Sequence, residues 1–318
     1  MSSRRSKEDK VFNRREMLAT GALAAGAAAL APIVACGASR KNEQSSEAEP
    51  ATSSERATRN MQLSLAAYSM REALTKGEMD LFDFIDWCAE MDLPGTELTS
   101  YYFKEDFDKS YLHQLRKHAF RNGVTVSGTA IGNDFCKPPG PELDAEVARV
   151  KQWIDSAAEL FAPHIRIFAG RAPEGVDIKT AIGWCADGIK RSLEYAAERG
   201  ITLGLENHGG ITARAADHLA ICQAVGEHPW FGVNLDTGNY RTNAYEELAM
   251  AAPLAVNVQI KVEVAGPDGQ SEPTDLERLK KILVEAGYKG WVALEYEEED
   301  PKINIPKWIK KMKEVFGA

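Results

Sequence analysis

The chain has 318 residues, 47 acidic against 38 basic, a net charge of −9 with histidines neutral, and 44% apolar side chains. That is more than a minimal domain needs and enough apolar material for a sizeable core. The acidic balance argues against nucleic acid or an anionic membrane surface as the main partner and favours a small ligand, neutral or chelated to a cation.

In chain order, Asn13-Arg14-Arg15-Glu16-Met17-Leu18 is a twin-arginine pattern. An uncharged, Ala/Gly-rich stretch follows from Met17 and ends at Ile33-Val34-Ala35-Cys36-Gly37. These residues resemble a twin-arginine export signal closed by a bacterial lipoprotein cleavage box, which implies export to the periplasm or cell surface and a lipid anchor on Cys36. A weak transmembrane helix is the alternative, opposed by the Ala/Gly content and by Pro32. Residues 37–60 are rich in Ser, Glu, Lys and Thr without large apolar side chains and read as a tether. The division is therefore signal 1–36, tether 37–60 and catalytic domain 61–318. The first 35 residues hold six basic and three acidic side chains, leaving 32 basic against 44 acidic, a net −12.

From residue 61 on, strand-like and helix-like patterns alternate eight times. The strands are expected near 62–67, 95–98, 124–130, 164–168, 202–206, 231–236, 256–261 and 291–296. Between them, Leu143, Val147, Val150, Ile154, Ala157 and Phe161 recur at helical steps behind Pro141. A second helix spans about 177–199 and stops at Gly200, a third about 273–287 from Pro273 to Gly287, and a last one Ile305 to Phe316. Near-continuous apolar strands alternating with helices predict a parallel sheet covered outside. Eight units in ~260 residues predict one closed (β/α)8 TIM barrel rather than an open sheet. No Gly-x-Gly-x-x-Gly follows the first strand. Cys88, Cys136, Cys185 and Cys222 form no Cys-x-x-Cys pair, and buried thiols are expected at 88, 185 and 222.

Three of the strands end on acids: Ile201–Glu206, Phe231–Asp236 and Trp291–Glu295. A fourth, Val256–Lys261, carries Gln259 and Lys261. A charge at the end of a buried strand needs a partner, and three converging carboxylates repel one another, so a divalent cation is the expected partner. Active sites of TIM barrels lie at these C-terminal strand ends.

Leu205-Glu206-Asn207-His208-Gly209, Asn234-Leu235-Asp236-Thr237-Gly238-Asn239 and Gly290-Trp291-Val292-Ala293-Leu294-Glu295-Tyr296-Glu297 resemble the sugar phosphate isomerase/epimerase family of xylose isomerase-like barrels. Asn133-Asp134-Phe135 and Ile165-Arg166-Ile167-Phe168 also fit. The resemblance implies one metal held by Glu206, Asp236, Gln259 and Glu295, with Gln259 standing where a histidine is usual and Asn239 where epimerases often carry one. Such an all-oxygen set would favour Mn2+, with Mg2+ or Co2+ as alternatives. It further implies a sugar or keto-sugar substrate contacted by His208, Lys261, Arg166, Asn133 and Asn239. Glu206 and Glu295 would be the catalytic groups, moving a proton through a metal-bound enediolate. A lyase or hydratase on 3-keto-sugars or 3-keto-glycosides, and a lipid-anchored sugar-binding protein without turnover, stay open, as does a homo-oligomer. Each residue also admits a structural role. Gln259 reads as a buried amide, Lys261 as a barrel lysine paired with Glu206 or Glu295, Arg166 as partner of the acids, and His208 as a stacked ring.

Overall fold

The computed structural model describes residues 61–317. The expectations for Arg14, Arg15, Cys36 and the tether lie outside these residues. Eight strands, β1 (Gln62–Ala66), β2 (Gly95–Thr99), β3 (Thr125–Ala130), β4 (His164–Ile167), β5 (Thr202–Glu206), β6 (Phe231–Asp236), β7 (Ala255–Ile260) and β10 (Trp291–Leu294), close into a parallel barrel in the order β1-β10-β7-β6-β5-β4-β3-β2. The TIM-barrel expectation is met. Lys261 and Glu295 fall one residue beyond their strands, at the heads of the loops.

Four of the helices begin on an aspartate cap, at Asp80, Asp108, Asp177 and Asp275. Ahead of α1 (Arg71–Lys76) and α2 (Leu81–Glu90) the chain leaves β1; at α2 the Asp80 carboxylate accepts the N–H of Phe82 and Asp83, while Asp83 accepts the N–H of Asp80. Asp108 caps α3 (Lys109–Arg121) in the same way through the Tyr111 N–H. Pro141 opens α4 (Pro141–Leu160), and α5 (Ile178–Arg199) stops at Gly200, whose φ of 71° needs no Cβ. The chain continues through α6 (Ala215–Val225), α7 (Ala244–Ala251), α8 (Leu276–Glu285) and α9 (Pro301–Phe316).

One expectation is corrected. Pro273 does not open a helix but ends a short antiparallel hairpin, β8 (Glu263–Ala265) with β9 (Ser271–Pro273). The helix starts later because Asp275 is the better cap, its carboxylate accepting the Arg278 N–H at 3.0 Å.

Alternate strand residues point outward and pack under the helices. Leu63, Leu65, Ile165, Ile167, Leu203, Leu205, Val233, Leu235, Val258, Ile260, Val292 and Leu294 are all buried in this shell. At ~1.5–3 kcal/mol each, this ring is the main favourable term holding the barrel. The inward set is polar instead: Ser64, Glu97, His164, Arg166, Glu206, Asn234, Asp236, Asn257 and Gln259 are all buried. Register shifts between Thr96 and Glu97 and between Val233 and Asn234 interrupt the β2–β3 and β6–β7 pairing. Such irregularities re-aim side chains, and both fall at residues that meet inside the barrel.

Candidate active site

Glu97, Asn234, Asn257 and Gln259 form a closed ring of hydrogen bonds across the barrel. The Asn257 amide donates to Glu97 Oε1 (2.5 Å) and to Asn234 Oδ1 (2.8 Å), the Asn234 amide donates to Gln259 Oε1 (2.7 Å), and the Gln259 amide donates to Glu97 Oε2 (2.8 Å). A carboxylate only accepts, so Glu97 fixes which end of Gln259 faces it. Burial pushes the Glu97 carboxyl up to about 7, against the pull of the two amides. Lower in the barrel, the His164 ring is buried without hydrogen-bond partners. Gly128 and Gly204 make room for it, since a Cβ at either would collide with its nitrogens. Burial holds its pKa down to about 3, so it is neutral.

The charged residues lie above this ring. Glu206 accepts from the Asn239 amide at 3.0 Å, and its other oxygen lies 3.0 Å from Arg166 Nε. Arg166 Nη1 also donates to the Ile131 carbonyl at 3.0 Å, and the guanidinium lies 3.8 Å over the Phe168 ring. His208 stacks on Phe168 at 4.1 Å and 29°. Burial, then Arg166, lowers its pKa to about 4, so the imidazole is neutral. Asn133 spends its amide on the backbone of residue 168, donating to the Phe168 carbonyl and accepting its N–H, both at 2.8 Å. It therefore shapes the wall on which Arg166 and His208 stack.

Asp236 is fully buried. The Asn207 amide clamps its backbone in both directions, and its Oδ1 accepts the Gly238 N–H at 2.8 Å. Its Oδ2 has no hydrogen-bond donor; the nearest cation is Lys261 Nζ at 3.5 Å. The same ammonium lies 3.1 Å from Glu295 and 3.0 Å from Glu297. The Thr237 hydroxyl accepts the Lys261 N–H at 2.9 Å and sets the root of this side chain.

These contacts separate the carboxyl groups. Burial raises Glu206 well above the usual range, more than Arg166 pulls it down. Burial also raises Asp236, to about 7, against Lys261. For Glu295, burial is outweighed by Lys261 and Arg166, and its carboxyl is held below the ordinary value. Burial likewise opposes the charge of Lys261, but Asp236, Glu295 and Glu297 raise its pKa and keep it an ammonium. The surroundings thus push the two apart, Glu206 toward its protonated form and Glu295 toward its ionised form. They stand three places apart in a ring of eight strands, nearly across the mouth. A cavity of about 280 Å³ opens beside Asn239, Lys261 and Glu297. A second, also about 280 Å³, opens beside Asn133, Phe168 and His208.

Of the expected residues that are described, all gather at the mouth except Gln259, which lies in the ring below it, and as placed they do not fit a divalent cation. Oxygen donors of this kind suit Mn2+ or Mg2+, and Asp236 Oδ2 lacks a donor. Yet Gln259 is tied at both ends to Glu97 and Asn234, Glu206 is held by Arg166 and Asn239, and Lys261 sits among Asp236, Glu295 and Glu297. Among the described residues, no group of three Asp, Glu, His or Cys side chains is placed to hold a metal ion; the three acids that do meet, Asp236, Glu295 and Glu297, meet on the Lys261 ammonium. Ammonium and guanidinium already stand against the acids in this structure, which leaves the Mn2+ expectation without support from the geometry.

Sequence reasoning missed Glu97, Asn234 and Asn257. Asn234 and Asn257 lie two residues before Asp236 and Gln259, and period-two spacing puts them on the same inward face.

A mouse protein named "Putative hydroxypyruvate isomerase" is 28% identical over 183 residues, 51% of this chain and 63% of that relative. The alignment thus spans less than two thirds of that relative's length. A D-psicose 3-epimerase crystallised with D-tagatose, from Clostridium cellulolyticum H10, superposes with a TM-score of 0.66 at 14% identity, over 80% of this chain and 99% of that one. A probable 3-DHS dehydratase, AsbF of Bacillus anthracis, gives 0.60 at 15% identity, over 81% and 99%. At these identities the solved structures show a shared fold, across both epimerase and dehydratase. The model of the xylose isomerase-like TIM barrels matches residues 85–316, most of the folded body. The chain belongs to the family of xylose isomerase-like TIM barrels.

Proposed function

We propose that the protein is a sugar isomerase or epimerase that moves a proton on the carbon next to a carbonyl, with Glu295 as base and Glu206 as acid. The observation that carries this reading is the pair itself: two buried carboxyl groups nearly across one barrel mouth, each held by its own cation. Pairs whose surroundings push their protonation apart mark acid and base roles.

Glu295, ionised beside Lys261, takes the α-hydrogen as a proton. The C–H electron pair becomes the new C=C bond, and the carbonyl π pair moves to oxygen, giving an enediolate. Glu206, protonated, returns a proton to the opposite face, which inverts that carbon. Solvent then resets both acids. Neutral His208, stacked on Phe168, is placed to hold a substrate hydroxyl, and Asn239 orients Glu206. A lyase on 3-keto-sugars would share the first step and then expel a group from the β-carbon. The twin-arginine pattern and Cys36 support an exported, lipid-anchored enzyme, so an extracellular, unphosphorylated keto-sugar is the favoured substrate.

The test is product analysis against a panel of ketoses, 2-keto-3-hydroxy acids and 3-keto-glycosides. An isomer of unchanged mass is expected. Loss of water or of an aglycone would assign the lyase instead, and tight binding without any product would sink the catalytic reading.

A further inference from the structure

We infer that the Lys261 ammonium is the resident cation of this site, in the position that a divalent metal would take, so that the protein works without a metal. Three observations converge. Lys261 Nζ lies 3.0 to 3.5 Å from carboxylate oxygens of Asp236, Glu295 and Glu297, the reach of a cation shared among three acids. Its side chain is 12% exposed, so the charge is withdrawn from water and has these acids as its solvation. The amide that a metal would need from Gln259 is turned into the Glu97, Asn234 and Asn257 ring below.

The position is also fixed from outside. The Lys261 backbone N–H bonds Thr237 Oγ1 at 2.9 Å, and its carbonyl accepts from the Thr274 hydroxyl at 2.7 Å. A Cβ at Gly238 would collide with the lysine stem, so a glycine there keeps its path open. The side chain enters from the cavity shared with Asn239, Arg241 and Glu297. A substrate carbonyl arriving there meets an ammonium donor. When the C–H bond breaks, negative charge gathers on that oxygen, and Lys261 neutralises it by a charge-assisted hydrogen bond. No proton leaves Lys261 in this step. This catalytic role rests on the isomerase reading, whereas the occupancy of the site does not.

The experiment separates the two. The full-length protein, purified without chelator, is analysed for divalent metals, and its melting is followed with Mn2+ and with EDTA. Metal well below one ion per chain, and a Tm unmoved by either addition, are expected. Lys261→Ala should then gain Mn2+ affinity by ~10²-fold or more in calorimetric titration, because three acids lose their cation. Lys261→Met, which keeps the apolar stem, covers the case in which the alanine variant does not fold. A wild-type chain that carries one divalent ion, or that EDTA destabilises, overturns the inference. So do variants that fold and still ignore Mn2+. If the wild type is metal-free yet no sugar turns over, the proposed function fails and the occupancy stands.

Discussion

Replacing Arg166 by Met removes a buried guanidinium while keeping most of its volume, and the contacts it breaks set the expected cost. Arg166 is 5% exposed, so its partner Glu206, 3% exposed, cannot turn to water. Breaking a buried pair from one side costs ~3–5 kcal/mol. The Ile131 carbonyl also loses its donor, at ~1–3 kcal/mol, and the contact over Phe168 is worth ~0.5–2 kcal/mol, part of which Met regains by packing. Glu206 limits the loss by taking a proton, because burial already favours its neutral form. A destabilisation of ~4 kcal/mol follows, or a Tm lower by ~10 °C at ~2–4 °C per kcal/mol. The sign with pH follows from the same group. A carboxyl raised in the folded state contributes stability below its unfolded pKa, and that contribution is lost as pH rises through the folded value. The Arg166→Met deficit should therefore widen from mildly acidic to mildly alkaline solution. Adding Glu206→Gln removes the charge that must be kept neutral and should recover at least half of the loss. Urea unfolding of the two variants measures this. A single variant within ~1 kcal/mol of wild type, or a double variant no better than the single, refutes the assignment of Arg166 as the counter-ion of Glu206.

The ring makes a second pH-dependent prediction: with Glu97 raised to about 7, its share of stability is present in acid and falls away as pH passes through neutrality, and Glu97→Gln should flatten that limb of the stability profile. Glu295→Gln keeps the shape of the side chain but not the base, so turnover should fall ~10²-fold or more while sugar binding stays within a few fold; equal losses in both would reassign Glu295 to binding. Gly204→Ala places a methyl against the unpartnered His164 ring, and a loss of ~1–3 kcal/mol from this overpacking is expected in unfolding experiments. Changing Arg14 and Arg15 together to Lys should block export, and Cys36→Ala should release the protein from membranes; soluble full-length wild-type protein in the native cytoplasm would contradict both.

The barrel was legible because each strand is a short apolar run and its helices start and stop on strong signals such as Pro141 and Gly200. The acids were legible for the opposite reason: Glu206, Asp236 and Glu295 break apolar runs where burial makes a charge costly. What partners them was not. Glu206 finds Arg166 on the neighbouring strand and Lys261 finds Glu295 across a loop only once the barrel closes, and spacing along the chain does not rank an ammonium against a metal. Glu97 sits inside Gly-Thr-Glu-Leu-Thr, a less apolar run in which one acid draws little notice. The hairpin at residues 263–273 has strands of three residues, too short for any period to register, although Gly266 and Gly269 mark its turn.

The central claim is that Glu295 removes a carbon-bound proton, and solvent exchange tests it most directly. Wild-type protein and Glu295→Gln are incubated in D2O with the best substrate from the product panel, and deuterium at the α-carbon is followed by NMR. The account predicts wash-in by the wild type with EDTA present and near-background exchange by Glu295→Gln. Exchange that survives in Glu295→Gln, or that is absent from a wild-type protein that still converts the sugar, would contradict it.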